Sequence, residues 1–194
     1  MNVMTDGVNS GRRRFLTTAT SVVGAAGVVA VAVPFVGSWN PSAKAKAAGA
    51  PVKVDISKVE PGQMIVAEWR GKPVYILHRT DEEIANLDKQ TDLLADPESV
   101  RPQQPTYVTG SARSIKPKYL VAVGLCTHLG CAPKFRPEVE ADWLGGFYCP
   151  CHGSKFDLAG RVYKGVPAPT NLEVPPYRYE SAMVIVIGED EVAA

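Results

Sequence analysis

The stretch from Cys126 to Ser154 restricts what this chain can become more than any other part of it. It reads Cys-Thr-His-Leu-Gly-Cys, then a spacer of seventeen residues, then Cys-Pro-Cys-His-Gly-Ser, and it holds all four cysteines and two of the three histidines. The pairs Cys126-x-His128 and Cys149-x-x-His152 offer two thiolates and two imidazoles from two short loops, a ligand set for a soft or borderline metal centre. Any fold for this sequence must therefore bring the two loops to one point. Cys131 and Cys151 are left over, one in each loop.

Two kinds of centre take such donors. Structural zinc binds two cysteines and two histidines, but its usual spacing keeps like with like, cysteine beside cysteine and histidine beside histidine. A Cys-x-His pair fits that pattern poorly. The other centre is a 2Fe-2S cluster with one iron on two cysteines and the other on two histidines. Both loops resemble those of Rieske iron-sulfur proteins, and the resemblance assigns Cys126, His128, Cys149 and His152 as the metal ligands of one 2Fe-2S cluster. It further implies that Cys131 and Cys151 form the loop-bridging disulfide of the quinol-oxidising subset; the bland alternative is two idle thiols.

Imidazole ligands have an electrostatic consequence. Two neutral donors in place of two thiolates leave the oxidised cluster uncharged, so an incoming electron meets less repulsion. The potential rises from about −400 mV in plant-type ferredoxins to roughly −150 to +300 mV. A ligating histidine also keeps a proton site on its far nitrogen, so the resemblance makes His152, with His128, the groups that meet quinol.

The N-terminus reads as an address and an anchor. Residues 1–40 carry Arg12, Arg13 and Arg14 against Asp6 alone, within a chain whose formal charge is only +1. That balance argues against nucleic acid as a partner and for a membrane-directed basic end. Arg-Arg-x-Phe-Leu resembles a twin-arginine export signal, which suits a cofactor assembled before export. The 25 residues from Phe15 to Trp39 carry no charge, enough for the roughly 20 that span a bilayer core. The expected division is a cytoplasmic segment 1–14, a retained transmembrane anchor 15–40, a hinge linker 41–51 of small residues, and a periplasmic head 52–194. A signal cut off near the alanines of 43–50 is the competing reading.

For the head, an all-β fold is expected. Short β-rich runs at Met64–Trp69, Val74–Arg79, Tyr119–Val123 and Met183–Ile187 are punctuated by Gly and Pro, and no helical period sustains itself. One short helix is predicted from an N-cap at Thr80 to about Leu87. Residues 88–116 form a polar excursion of undecided role. His78 has no ligand motif beside it and reads as a strand or surface histidine, while Trp69 and Tyr75 read as core. The expected architecture is an antiparallel sandwich with a cluster module at about 124–169 inserted between two of its strands, as in Rieske domains.

Other residues take roles from the resemblance. Ser154 corresponds to a serine that donates to a cluster sulfur, and Phe156 stands where many relatives carry a tyrosine donating to a cysteine ligand. Both tune the potential. Leu129 and Gly130, with Pro167 and Pro169 of a proline-rich loop, correspond to the docking tip.

Taken over the whole chain, the resemblance is to the Rieske subunits of quinol-cytochrome c reductase. It implies an electron and a proton taken from quinol in cytochrome b, head movement, and reduction of a c-type cytochrome within a dimeric complex of the bacterial inner membrane. The rivals are an exported Rieske subunit of another oxidoreductase such as arsenite oxidase, a cytosolic Rieske ferredoxin, and a structural zinc module.

Overall fold

A computed structural model of the 194-residue chain describes residue 7 and residues 9–140 and 142–190. These divide into two units, one ending at Lys46 and one beginning at Ala47.

The first unit is built on a single long helix, α1 (Ser10–Gly37). Asn9 caps it, its side-chain oxygen accepting from the Arg12 N–H at 3.1 Å, which satisfies one of the orphan donors of the first turn. The helix thus starts before the three arginines and takes them into its first turns. Its 28 residues make a rod of about 42 Å at 1.5 Å per residue, longer than the roughly 30 Å of a hydrocarbon core. Phe15, Val22, Val29 and Val33 are all exposed, and a helix that is apolar around its circumference without burying any face suits lipid rather than water. Pro34 lies in the last turn, where its missing N–H and ring clash disturb little of the helix. A short helix follows, α2 (Ala43–Ala48), with the Ser42 hydroxyl accepting from the Ala45 N–H at 3.1 Å.

The second unit holds three antiparallel three-stranded sheets. β1 (Val52–Asp55), β8 (Tyr177–Ser181) and β9 (Val184–Ile187) form the first, in the order β1-β9-β8. β2 (Met64–Trp69), β3 (Lys72–His78) and β4 (Tyr119–Val123) form the second. β5 (Lys134–Glu140), β6 (Trp143–Tyr148) and β7 (Lys155–Phe156) form the third, the inserted module.

The second sheet is the middle layer, and its side-chain alternation decides what each face holds. Val74, Ile76 and Val121 point to one face and pack with Ile56, Tyr177, Ile185 and Ile187 of the first sheet's side. Tyr75, Leu77, Leu120 and Ala122 point to the other and pack with Cys126, Phe147, Cys149 and Phe156. Burial on both faces explains why these strands read as continuous apolar runs rather than as alternation. At about 1.5–3 kcal/mol for each large side chain fully withdrawn from water, this double burial fixes the module onto the sandwich.

Local chemistry accounts for the predicted helix. In α3 (Asp81–Asn86) the Thr80 hydroxyl accepts from the Glu83 N–H at 3.1 Å, and the Glu83 carboxylate accepts from the Thr80 N–H at 2.7 Å, a reciprocal capping box. His78 closes β3 by stacking on Tyr119, with 4.3 Å between ring centroids. Its Nδ1 lies 2.7 Å from the Val59 carbonyl oxygen; a carbonyl only accepts, so that nitrogen carries the proton.

Residues 88–116 form a strap with one 3-10 turn, Asp88–Leu93, and three buried guanidinium groups hold it and its neighbours together. Arg79 donates to the carbonyls of Ala112 and Leu158, and Arg113 to those of Ala159 and Leu172. Burial pulls both arginines down to about 10, against the opposing pull of Asp157, so both stay charged at neutral pH. Arg161 pairs with Asp157 at 2.7 Å in full burial and also donates to the Leu87 carbonyl. Removing one partner of such a pair costs about 3–5 kcal/mol, because the other charge is left buried alone.

Candidate metal centre

β4 delivers one loop and β6 the other, and the same backbone frame closes both. In Cys126–Cys131 the Cys126 N–H donates to the Cys131 carbonyl at 2.7 Å and the Gly130 N–H to the Cys126 carbonyl at 2.9 Å. In Cys149–Ser154 the Cys149 N–H donates to the Ser154 carbonyl at 2.8 Å and the Gly153 N–H to the Cys149 carbonyl at 2.9 Å. Each loop turns at its fifth residue in the left-handed region, Gly130 at φ 77° and Gly153 at φ 78°, where a Cβ is unfavourable.

This frame gathers the donors in like pairs. Cys126 and Cys149 are free thiols, 3% and 2% exposed, and both lie in the same buried cluster. The His128 and His152 rings meet edge to face with centroids 4.7 Å apart; His128 is half-buried and His152 exposed. Thiols therefore face the core and imidazoles face outward. Burial pushes the Cys126 thiol up; the His128 backbone opposes this, Cys149 adds to it, and the Ser154 hydroxyl opposes it again. A metal cation reverses such a preference by binding the deprotonated form.

Cys131 and Cys151 are joined in a disulfide that closes a separation of 20 residues, with 6.8 Å between their Cα atoms. The Cys149 sulfur lies within 4.8 Å of both bridge sulfurs. That cluster of three sulfurs is no metal site of its own, since a disulfide has no thiolate to offer. What it shows is that the bridge packs directly against one of the free thiols.

The other predicted positions fall around this frame. Leu129, 71% exposed, and Gly130 stand at the tip, and Pro167 and Pro169 are exposed on the adjoining loop. Ser154 and Phe156 are fully buried, and Phe156 packs in the cluster that holds Cys126 and Cys149. The Ser154 Oγ accepts from the Ala168 N–H at 3.0 Å, which joins the proline-rich loop to the second cysteine loop.

Sequence reasoning missed two supports. Tyr75 is more than a core residue: its hydroxyl donates to the Pro133 carbonyl at 2.8 Å, its ring stacks on Phe147, and it lies near enough to Cys149 for that thiol to add to the rise that burial imposes on its phenol. Thr127 donates to the Thr170 carbonyl at 2.7 Å, tying the first loop to the proline-rich one. Neither has a local signal, because each partner lies over forty residues away in sequence.

Known proteins place this arrangement. A family model described as Rieske [2Fe-2S] domain matches residues 51–177, and one described as Ubiquitinol-cytochrome C reductase Fe-S subunit TAT signal matches residues 4–42. The ubiquinol-cytochrome c reductase iron-sulfur subunit of Allochromatium vinosum is 58% identical, over 97% of this chain and 93% of the relative. The protein of the same name from Blastochloris viridis is 48% identical, over 94% of this chain and 96% of the relative. These relatives fit the quinol enzyme and not the arsenite oxidase subunit weighed as its rival. By domain match, by identity along nearly its whole length and by the paired thiols and imidazoles, the chain belongs to the Rieske iron-sulfur subunits of ubiquinol-cytochrome c reductase.

Proposed function

We propose that Cys126 and Cys149 hold one iron of the family's 2Fe-2S cluster, that His128 and His152 hold the other, and that the subunit takes one electron and one proton from quinol and passes the electron to a c-type cytochrome. The observation that carries this reading is the segregation of donors into like pairs, two thiols inward and two imidazoles outward, each pair drawn from both loops. A single zinc ion needs four ligands converging on one point; two unlike pairs suit two metal ions side by side. Bound there, the cluster supplies a one-electron acceptor of roughly −150 to +300 mV.

The chain's own residues do the rest. His152, exposed, receives the quinol hydroxyl and holds the transferred proton on the ring nitrogen that the metal does not use. The Ser154 hydroxyl, which favours the Cys126 thiolate, is the donor to that sulfur in this reading, through a bond that strengthens as negative charge arrives. Leu129 stands exposed at the tip and makes the apolar contact with cytochrome b. The Cys131–Cys151 bridge holds the two loops at a fixed separation while the head moves between partners.

Helix α1 anchors the subunit in the bacterial inner membrane with the arginines cytoplasmic and the head periplasmic, following the positive-inside rule. The segment 41–51 is the hinge, and the whole works within the dimeric cytochrome bc complex. The test is quinol-dependent cytochrome c reduction by the detergent-extracted complex, with iron and acid-labile sulfide measured on the same material. Loss of turnover and of nitrogen-ligated EPR character when His128 and His152 are both replaced by cysteine is the expected result; intact turnover in that variant overturns the assignment.

A further inference from the structure

We propose that Arg101, on the strap and outside both cysteine loops, is a positioning residue for the metal centre: it holds the loop 165–169 so that the Ala168 N–H stays on the Ser154 hydroxyl. The inference rests on the ligand assignment proposed above, through Cys126.

Ser154 is the inner end of the chain of contacts. An N–H can only donate, so the Ala168 amide occupies one lone pair of the Ser154 oxygen at 3.0 Å. The serine's own proton is then steered away from Ala168 and is available to the Cys126 sulfur, whose thiolate form the hydroxyl favours. If Ala168 moves, the rotor is released and that donated bond is shared among other directions.

Little within the loop itself holds Ala168 in place. Its neighbours Pro167 and Pro169 have no N–H to donate. The strap supplies what the loop lacks, and it grips both ends. On the entering side, the Lys164 N–H donates to the Leu93 carbonyl at 2.9 Å. On the leaving side, the Arg101 guanidinium donates to the Pro169 carbonyl, one residue from Ala168. Asn171, fully buried, continues the grip by donating to the Asp96 carbonyl at 2.9 Å and the Ser99 hydroxyl at 3.0 Å, while accepting from the Val162 N–H at 2.8 Å.

Arg101 is itself aimed by the strap. The Asp96 carboxylate accepts from the Val100 and Arg101 N–H groups at 2.9 and 3.2 Å, closing a turn through Ser99 in the left-handed region at φ 52°. A continuous path therefore runs from Asp96 through Arg101, Pro169 and Ala168 to Ser154 and Cys126. The undecided excursion acquires a role along it.

The test uses the full-length protein in its detergent-solubilised complex, with two readouts besides turnover: hydrogen exchange of the peptide covering residues 162–172, and the midpoint potential from a redox titration followed by EPR. Arg101→Ala is expected to keep a full complement of cluster, to exchange the Ala168 amide roughly five- to tenfold faster, the equivalent of one modest hydrogen bond, and to lower the midpoint. Arg101→Lys keeps a donor and is expected to restore both readouts in part. In a Ser154→Ala background, Arg101→Ala is expected to leave the midpoint where the single serine variant puts it. Should Arg101→Ala fail to accumulate, Asp96→Asn carries the same expectations. An unmoved midpoint in a cluster-loaded Arg101→Ala protein overturns the inference, as does an undiminished drop in the Ser154→Ala background. Absence of a 2Fe-2S signal from the unaltered protein is a different failure, since it removes the ligand assignment beneath.

Discussion

The loops Cys126–Cys131 and Cys149–Ser154 share one backbone frame and differ in almost everything they display on it. Both are six residues closed by the same two hydrogen bonds and turned by a left-handed glycine at the fifth place. At the third place the first loop carries His128 and the second Cys151; at the fourth stand Leu129 and His152; at the sixth, Cys131 and Ser154. A histidine one place further along the second loop is exposed, whereas its counterpart is half-buried. The difference teaches that a symmetric cradle has been given asymmetric duties. One loop offers an apolar tip and half of the disulfide, and the other offers the accessible imidazole and the buried hydroxyl.

The first place of each loop is where the two are alike, so the largest effect should be shared. Cys126→Ser and Cys149→Ser are each expected to abolish the cluster, seen as loss of visible absorption and acid-labile sulfide in the purified protein. A variant that kept a full cluster would show the loops to be unequal where they look most equivalent. Next comes the covalent tie between them. Replacing Cys131 and Cys151 together by serine removes a bridge over a 20-residue separation, worth about 3 kcal/mol in the chain-entropy estimate. At roughly 2–4 °C per kcal/mol for a domain near this size, thermal unfolding of the head should start well below that of the unaltered protein.

Much of this was legible because it is local. The hairpin of β2 and β3, the capping box at Thr80 and the spacing of both cysteine loops depend on residues a few positions apart, where turn and cap chemistry leave a readable trace. The first helix turns were less legible: Asn9 caps α1 ahead of the arginines, although the charge pattern alone placed the anchor after them. β5 gave no signal because five of its seven residues, Lys134 to Glu140, are charged or proline, most are exposed, and its register shifts between Arg136 and Val139. The strap was illegible for a different reason. Its attachments run from Arg79, Arg113, Arg101 and Asn171 to carbonyl oxygens 33 to 79 residues away, and every residue type has a carbonyl.

The fifth place tests whether the shared frame is energetically shared. An added Cβ meets nothing within 4 Å at Gly130, and at Gly153 only the Tyr148 hydroxyl at 3.9 Å, so alanine there is a conformational penalty without a clash. Gly130→Ala and Gly153→Ala should each destabilise by about 1–2 kcal/mol, and by equal amounts within error in equilibrium denaturation. A marked inequality would mean that one loop has slack the other lacks.

The smallest expected effects lie under the second loop, where the two differ most. Ser154 and Phe156 are both fully buried, but only the serine can donate a hydrogen bond. A bond worth about 1 kcal/mol more to the reduced state than to the oxidised one moves a one-electron potential by about 40 mV, since 1.4 kcal/mol corresponds to 59 mV. Ser154→Ala should therefore lower the midpoint in protein-film voltammetry by tens of millivolts, on the order of that figure. Phe156→Tyr should raise it by a similar step, because the new hydroxyl brings a second donor to the buried side of the cysteines. A lowered or unmoved midpoint in Phe156→Tyr would show that the phenylalanine packs where a hydroxyl cannot reach sulfur, and would leave Ser154 as the donor that sets the two loops apart.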